Sequence, residues 1–480
     1  MQFLLNVQEE GIMFTGVRKR QTKNELGIDW KQFYKNVLVL VVPMALQNLI
    51  NVGVTAADVM MLGAVGEDVL SGASLAGQIQ FIMTLIFMGI TSGATVLTAQ
   101  YWGKGDTRTI EKILGMGLRF GCIVALLFGS GALFFPETLM RIYTSEPAVI
   151  AEGVKYLQIV GCSYIFMAFT QVYLNIMRSI ERVVIATVVY MISLCANITI
   201  NAILIYGLLG FPALGVRGAA IGTLISRIIE FAIVMCYAHF KNKVVKIRLY
   251  DLWHTDRVLL KDYLVYSMPV VLNELMWGMG SSANTAIIGH LGSAAVAANS
   301  VAQVVRQLAQ VVVFGISNAT AIYLGKTIGE KKLEHAKAYG KRFTVLSLIL
   351  GILGAAVILI SAPIANATMA LSEEAQGYLV FMFFVMSYFA IAQAVNCTLV
   401  VGVFRSGGDT KFGLALDVGT MWGCSILLGA AAAFIFHCSV PVVYVILMSD
   451  EIIKLPFTIK RFFSYKWLRD VTRDDLADVS

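Results

Sequence analysis

The sequence predicts an all-α polytopic membrane protein, with twelve transmembrane helices arranged as two pseudo-symmetric lobes of six. Three observations carry that prediction. Apolar residues fill 58% of the 480 positions and charged residues only 14%, with a mean hydropathy of +0.75, which is more apolar surface than a soluble core hides. About twenty apolar residues cross the roughly 30 Å of bilayer hydrocarbon, so a chain of this length supplies about twelve spans joined by short connections. The third observation is an internal repeat. Pro43-Met-Ala-Leu46, Asp58, Leu62-Gly63 and Gly66 align without gaps on Pro269-Val-Val-Leu272, Asn284, Ile288-Gly289 and Gly292, all 226 positions on, and Arg178-Ser179 aligns on Arg405-Ser406 at 227. Near-constant spacing over so long a stretch marks a duplication. Six intervening spans start both copies on the same face, giving parallel repeats around a central cleft.

Apolar runs broken by Gly, Pro and charge place the helices near 35–63, 69–99, 112–135, 150–176, 183–208 and 216–240, and again near 262–290, 294–324, 342–364, 375–403, 411–436 and 439–460. Backbone groups in hydrocarbon must bond within their own segment, so these runs read as helices even where β-branched residues are frequent. A barrel would need apolar and polar residues to alternate, and they do not. The expected division is an N-terminal segment 1–34, a first lobe 35–240, a linker 241–261, a second lobe 262–461 and a tail 462–480.

The formal charge of +7 would suit nucleic acid if it formed a patch, but the Lys and Arg residues fall between the apolar runs. One side receives Arg18 to Lys35, Lys104, Arg108 and Lys112, Arg178 and Arg182, Lys241 to Lys261, Lys326 to Arg342, Arg405 and Lys411, and Lys460 to Arg473. The other receives Arg141, Lys155 and Arg217. Basic loops stay inside, so both termini are expected in the cytoplasm. No signal peptide is read at the start, and the first span is expected to direct insertion. The seven cysteines lack metal-site spacing and read as small buried residues.

An ionisable side chain in a membrane helix costs a few kcal/mol, so each one is a functional candidate. Asp58, in Ala56-Ala57-Asp58-Val59-Met60-Met61 of the first span, leads. Asn197 and Asn201 stand four apart on the fifth span and share a face, where their amides offer oxygens to Na+ or hydrogen bonds to a carboxyl. Holding helices together is the plainer role for both. Glu274 is the second carboxylate, and its repeat counterpart is Asn48, just as Asn284 is that of Asp58, so the lobes are chemically unequal. A structural role for Glu274 would be an ion pair with Arg306. Gln393, Asn396 and Asp417 are candidates to line a second-lobe cavity, and Asp450, Glu451 and Lys454 read as a local pair near the cytoplasmic end. Gly325-Lys326-Thr327 resembles the end of a phosphate loop but lacks its first glycine, so no nucleotide is expected. No catalytic constellation marks an enzyme.

The chain resembles the multidrug and toxic compound extrusion (MATE) family over nearly its whole length. The resemblance rests on Pro43, on Asp58 to Gly66, and on Thr98-Ala-Gln100 to Gly103-Lys-Gly105-Asp106. It continues through Asn197 to Gly207, Gly218 to Thr223, and Phe404-Arg405-Ser-Gly407-Gly408-Asp409-Thr410. It implies a two-lobe exporter of amphipathic, often cationic organic compounds, driven by Na+ or H+, without cofactor, nucleotide or nucleic acid. It also implies a functional monomer among the lipids of a bacterial plasma membrane. By resemblance Asp58 is the family's first-helix carboxylate, Asn197 and Asn201 its fifth-helix polar pair and a possible Na+ site with Asp58, and Glu274 its seventh-helix glutamate. Some relatives carry an acid where this chain has Asn201, and no tenth-helix acid stands near Gln393 and Asn396. A lipid-linked oligosaccharide flippase of the same superclass is the alternative. A strongly cationic central cavity would favour it, whereas the candidate cavity charges read as mostly acidic. A channel, receptor or membrane-embedded enzyme is a more distant reading.

Charge asymmetry yields a direct test of orientation. In a cysteine-free background, single cysteines at Lys104 and Lys331 should react with impermeant maleimide only from the cytoplasmic side, and those at Glu146 and Ser372 only from outside. Labelling of Lys331 and Ser372 from one side would refute the twelve-span topology.

Overall fold

The computed structural model describes residues 26–254, 256–368 and 372–473, and every regular element among them is helical. The first lobe contains α1 (Trp30–Gly63), α2 (Glu67–Lys104), α3 (Thr107–Phe134), the short α4 (Pro136–Arg141), α5 (Pro147–Gly161), α6 (Tyr164–Ser179), α7 (Val184–Tyr206) and α8 (Val216–Cys236). A one-turn α9 (Leu249–Trp253) lies in the linker. The second lobe contains α10 (Arg257–Gly289), α11 (Ser293–Gly329), α12 (Leu333–Thr368) and α13 (Glu373–Cys397), which runs on in widened turns over Thr398–Phe404. It ends with α14 (Thr410–Thr420), α15 (Leu427–Phe434), α16 (Val440–Leu447) and α17 (Asp450–Phe463). Arg18, Lys19 and Arg20 and the end of the tail lie outside the described residues.

Among the described residues nine helices are long and apolar enough to cross a membrane, and α5 and α6, which meet at a bend of 53°, make ten if they are taken together as one span. The other two spans of the twelve depart from simple hydropathy for visible reasons. Helix α10, 33 residues long, is diluted by Asn273, Glu274, Ser281, Ser282 and Asn284. The last span is split between α16 and α17. The single helices expected at 150–176 and 439–460 are therefore both broken, and each break carries a serine whose hydroxyl bonds back to the preceding turn. Ser163 Oγ donates to Val160 O at 2.6 Å and Ser449 Oγ to Ile446 O at 2.7 Å, a bond that bends helices. The cysteines are a further correction. None is fully buried, and Cys162, Cys195 and Cys236 are exposed on the protein surface, where a small apolar side chain is at ease against lipid.

The turn after α2 explains one sequence motif. Gly105 takes φ +83, the left-handed geometry that glycine adopts at no steric cost, and Asp106 then caps α3 by accepting from Thr109 N at 2.9 Å. The linker docks against the same end of α3. Arg108 grips Asp251 through two bonds of 2.5 and 2.8 Å, and Glu111 accepts from Lys246 N at 2.9 Å and pairs with Arg248 at 2.8 Å.

The apolar cores fix how the lobes meet. One core around Met83, Met140, Leu157 and Tyr164 belongs wholly to the first lobe, and one around Ile287, Phe383, Val385 and Tyr444 wholly to the second. Two others are shared. Leu259, Tyr263 and Val471 join first-lobe residues such as Leu97, Tyr101 and Met177, while Phe33, Val37 and Met44 of α1 join Ile316, Phe343 and Phe404. Both shared cores lie toward the basic face, where α2 packs along α10 and α11 and α1 along α11. Small residues bring these backbones together: a side chain on Gly93 would overlap Ser267, one on Gly103 would overlap Lys326 O, and one on Gly329 would overlap Gln100 O.

Polar contacts complete the seal on the basic face. Gln100 Nε2 donates to Ser406 O at 2.7 Å and to Arg469 O at 3.0 Å, and its Oε1 accepts from Val471 N at 2.8 Å. Lys326 pairs with Glu181 across the lobes at 2.7 Å. Lys104 donates to Arg473 O at 2.7 Å, and the Asp262 carboxylate holds the Arg473 guanidinium more firmly protonated than usual.

Gly329→Ala should overpack the α2–α11 contact. Misfit of this kind costs about 1–3 kcal/mol, and it should appear as a lower melting temperature in detergent together with faster labelling of a cysteine at Ser406 from the basic side. Wild-type melting and protection would mean that the lobes do not rely on this approach.

Candidate functional site

Polar side chains converge in three places, one inside each lobe and one between the lobes. In the first lobe, Asp58 Oδ1 accepts from Asn201 Nδ2 at 2.7 Å, and the same nitrogen donates to Asn197 Oδ1 at 3.3 Å. The sequence-predicted trio is thus assembled. Asn201 is fully buried and Asn197 nearly so. Gly222 of α8 makes the closeness possible, because any side chain there would overlap Asn201 Oδ1. That oxygen is buried without a hydrogen-bond partner, so it remains free to face a cation.

Sequence reasoning missed the other half of this site. Arg227 Nη1 of α8 holds both oxygens of Glu230, at 2.8 and 2.9 Å, and its positive charge reaches Asp58. Two carboxylates, Asp58 and Glu230, therefore share one guanidinium, and the fully ionised set carries one negative charge in excess. Two signals were available in the sequence: the three-residue spacing of an ion pair on one helix face, and the alignment of Arg227 with Lys454 at the repeat distance of 227.

The second-lobe set is built around the broken last span. Lys454 bridges Asp417 at 2.8 Å and Glu451 at 3.1 Å, and Asn273 Nδ2 also donates to Asp417, at 2.8 Å. Asp450 and Glu451 occupy the first turn of α17, where the unpaired N–H groups of the helix start favour negative charge. This corrects the expected place of the trio. From Asp450 to Phe463 the 14-residue α17 spans about 20 Å, so the charges sit deep in the span rather than near its basic end. Arg306 lies over the Phe389 ring at 5.6 Å with its Nε unpartnered. Three carboxylates against two cations again leave one negative charge in excess. Gln393 lines the adjoining cavity with Asn284, Asn299 and Arg306 and accepts from Gln310 Nε2. Asn396 does not line it. Its amide donates to Glu451 O and Oε2 at 2.7 and 2.8 Å, and its Oδ1 accepts from Thr458 at 2.8 Å, which makes it a tie between α13 and α17.

Between the lobes lies a cavity with about 1330 Å³ of empty space, part of it open solvent, walled by Met44, Asn51, Phe87, Met88, Asn175 and Phe314 among others. The shared cores and the Gln100 contacts close it toward the basic face. Glu274 reaches this cavity, but its partner is Arg405 Nη2 at 2.9 Å, not Arg306. Arg405 Nη1 also donates to Ser92 Oγ of α2 at 2.9 Å, which ties this second-lobe ion pair to the first lobe. The charged residues lining the cavity are Glu274, Arg178 and Arg405, which corrects the expectation of a mostly acidic cavity. Both arginines read as loop charges in the sequence. The helices extend far enough to turn them into the cavity floor.

Comparisons place these features among known proteins. The MatE family model matches residues 43–203 and 269–431, one copy per lobe. The chain is 25% identical over 302 residues to a probable multidrug resistance protein NorM of Agrobacterium fabrum, covering 63% of this chain and 65% of that protein. It is 22% identical over 401 residues to the probable multidrug resistance protein YoeA of Bacillus subtilis, covering 82% and 85%. Among solved structures it superposes at a TM-score of 0.81 and 19% identity on a MOP superfamily transporter from Pyrococcus furiosus, over 94% of this chain and all of that one. A multidrug resistance MATE family transporter in an outward-facing conformation gives 0.80 and 18%, with the same coverage.

Removing one partner from a buried charge cluster strands the others. Lys454→Met should destabilise the second lobe by about 3–5 kcal/mol, read as a large fall in melting temperature, and Lys454→Met combined with Asp417→Asn should recover part of the loss. A neutral effect of Lys454→Met would mean that this lysine does not hold the acids together.

Proposed function

Because this chain belongs to the multidrug and toxic compound extrusion family, we propose that it is a secondary antiporter that exports amphipathic organic compounds in exchange for Na+ or H+. Asp58 is the observation that carries this reading: a carboxylate inside the first helix, held by one amide donor, in a cluster with Arg227 and Glu230 whose ionised groups leave one negative charge in excess. A single proton on Asp58, or one Na+ beside Asp58 and Asn201 Oδ1, brings that set to neutrality. Charge balance of this kind lowers the cost of burial, so binding of the cation and closure around it favour each other.

Helix α1 carries the signal toward the lobe interface. Ten residues before Asp58, Asn48 Nδ2 donates to Val311 O of α11 at 3.4 Å, and Gly315 of α11 packs against Ala45. A shift of α1 on cation binding therefore acts on the contacts that close the cavity. With the basic face in the cytoplasm, a conformation closed on that face is, in this scheme, the one that releases substrate and takes up the cation. In this scheme Glu274, bound to Arg405, acts in closing the cytoplasmic side rather than as a second cation ligand. The protein then works as a monomer in a bacterial plasma membrane with both termini inside. Arg178 and Arg405 in the cavity favour one further reading, a flippase of lipid-linked oligosaccharides whose phosphate groups they would attract.

Asp58→Asn separates coupling from folding, since the amide keeps an acceptor for Asn201 Nδ2 but carries no charge and takes up no proton at physiological pH. The variant should express and melt like wild type, yet lose gradient-driven efflux of a cationic dye from proteoliposomes under separately imposed Na+ and H+ gradients. Near-normal efflux with unchanged ion dependence would move coupling away from Asp58.

A further inference from the structure

Arg178 and Arg405 occupy equivalent positions in the two repeats, 227 residues apart, and both line the central cavity. Their environments differ at one place. Arg405 is neutralised by Glu274 and tied to Ser92. The repeat counterpart of Glu274 is Asn48, so the acid that would neutralise Arg178 is missing from the first lobe. Among the described residues Arg178 forms no ion pair. Its Nη2 donates to Tyr190 Oη at 3.2 Å, its guanidinium lies over the Tyr190 ring at 5.8 Å, and its Nε is buried without a partner. Tyr190 is itself fixed by donating to Gln171 Oε1 at 3.3 Å. The nearby Glu230 is held by Arg227.

We propose that Arg178 is an anion subsite of the central cavity, taking the carboxylate or phosphate of an amphipathic ligand in the place Glu274 fills on the other lobe. Three physical points lead there. A guanidinium that lines the cavity without an ion-pair partner has unspent capacity for a charge-assisted, forked hydrogen bond. The ring of Tyr190 holds it in position before a ligand arrives, which reduces the ordering cost of binding. The rest of the cavity, with Met44, Phe87, Met88 and Phe314 beside Asn51 and Asn175, suits a ligand whose remainder is greasy and partly polar. The inference deepens the exporter reading above by adding zwitterionic compounds to its substrate class.

The test uses a matched pair of dyes, a cationic rhodamine ethyl ester and its free carboxylic acid, which is a zwitterion at neutral pH. Fluorescence anisotropy on the purified full-length protein gives the affinity for each. Arg178→Gln should lower the ratio of acid affinity to ester affinity about tenfold, the scale of one charge-assisted contact, and Arg178→Lys, which keeps the charge but not the fork, should lower it distinctly less. An unchanged ratio in Arg178→Gln overturns the subsite. So does an equal loss in Gln and Lys variants, which would mark a packing role. Displacement of the acid by a polyprenyl phosphate in the same micelles, absent in Arg178→Gln, would assign the subsite to a lipid phosphate; no displacement would assign it to a soluble carboxylate. Proteoliposome efflux is scored separately. Arg178-dependent binding of the acid without gradient-driven movement of either dye upholds the subsite and sinks the export reading. Efflux of the ester with no preference at Arg178 does the reverse, and binding of neither dye to wild type defeats both.

Discussion

The polar interior of this molecule is governed by the absence of water in the hydrocarbon: a buried charge or amide left without a partner inside the protein is costly. Arg405 is the clearest case. Its guanidinium sits between Glu274 of its own lobe and Ser92 of the other, so satisfying it requires that the lobes be together on the basic face. Opening that face strips Arg405 of one contact and exposes the backbone groups held by Gln100. Closure is therefore a polar transaction on an apolar scaffold, in which the small residues along α2, α10 and α11 permit the approach and the hydrogen bonds fix its register.

The two lobes solve the same electrostatic problem with different residues. Each holds an odd set of ionised groups, two acids to one base in the first and three to two in the second. Arg227 and Lys454, one base of each set, are repeat counterparts, whereas Arg306 aligns with Gln80 and the acids stand at different positions. Asp58 stands where the second lobe has Asn284, and the second lobe draws its carboxylates from α14 and from the start of α17. One basic position is common to the two lobes and the other charges differ, which leaves the lobes alike in shape and unlike in chemistry.

The architecture was legible because hydropathy and the repeat are properties of long stretches, averaged over many residues. The same averaging hid the breaks at Ser163 and Ser449, since each occupies only two residues of a long apolar run. The Asp58, Asn197 and Asn201 trio was legible because a carboxylate and two amides one turn apart are conspicuous in apolar helices. Arg227 and Glu230 were passed over, although their three-residue spacing was visible. Glu274 was recognised, but its partner was not, because Arg405 lies 131 residues away in sequence and reads there as a loop charge. Which of several distant cations meets an acid is decided by the packing of helices, and no local pattern records it.

The contacts of the tail with Gln100 and Lys104 bear on how the protein is made. Arg469 O, Val471 N and Arg473 O, all within the last dozen residues of the 480, supply the backbone groups that α2 holds. During synthesis, α2 enters the bilayer while those residues do not yet exist. The nascent first lobe therefore carries a buried-type glutamine with nothing to bind, and the basic side is not sealed until residues 469–473 have been made. A chain that has not yet reached residue 469 lacks these contacts on its basic face, and residues 469–473 supply them.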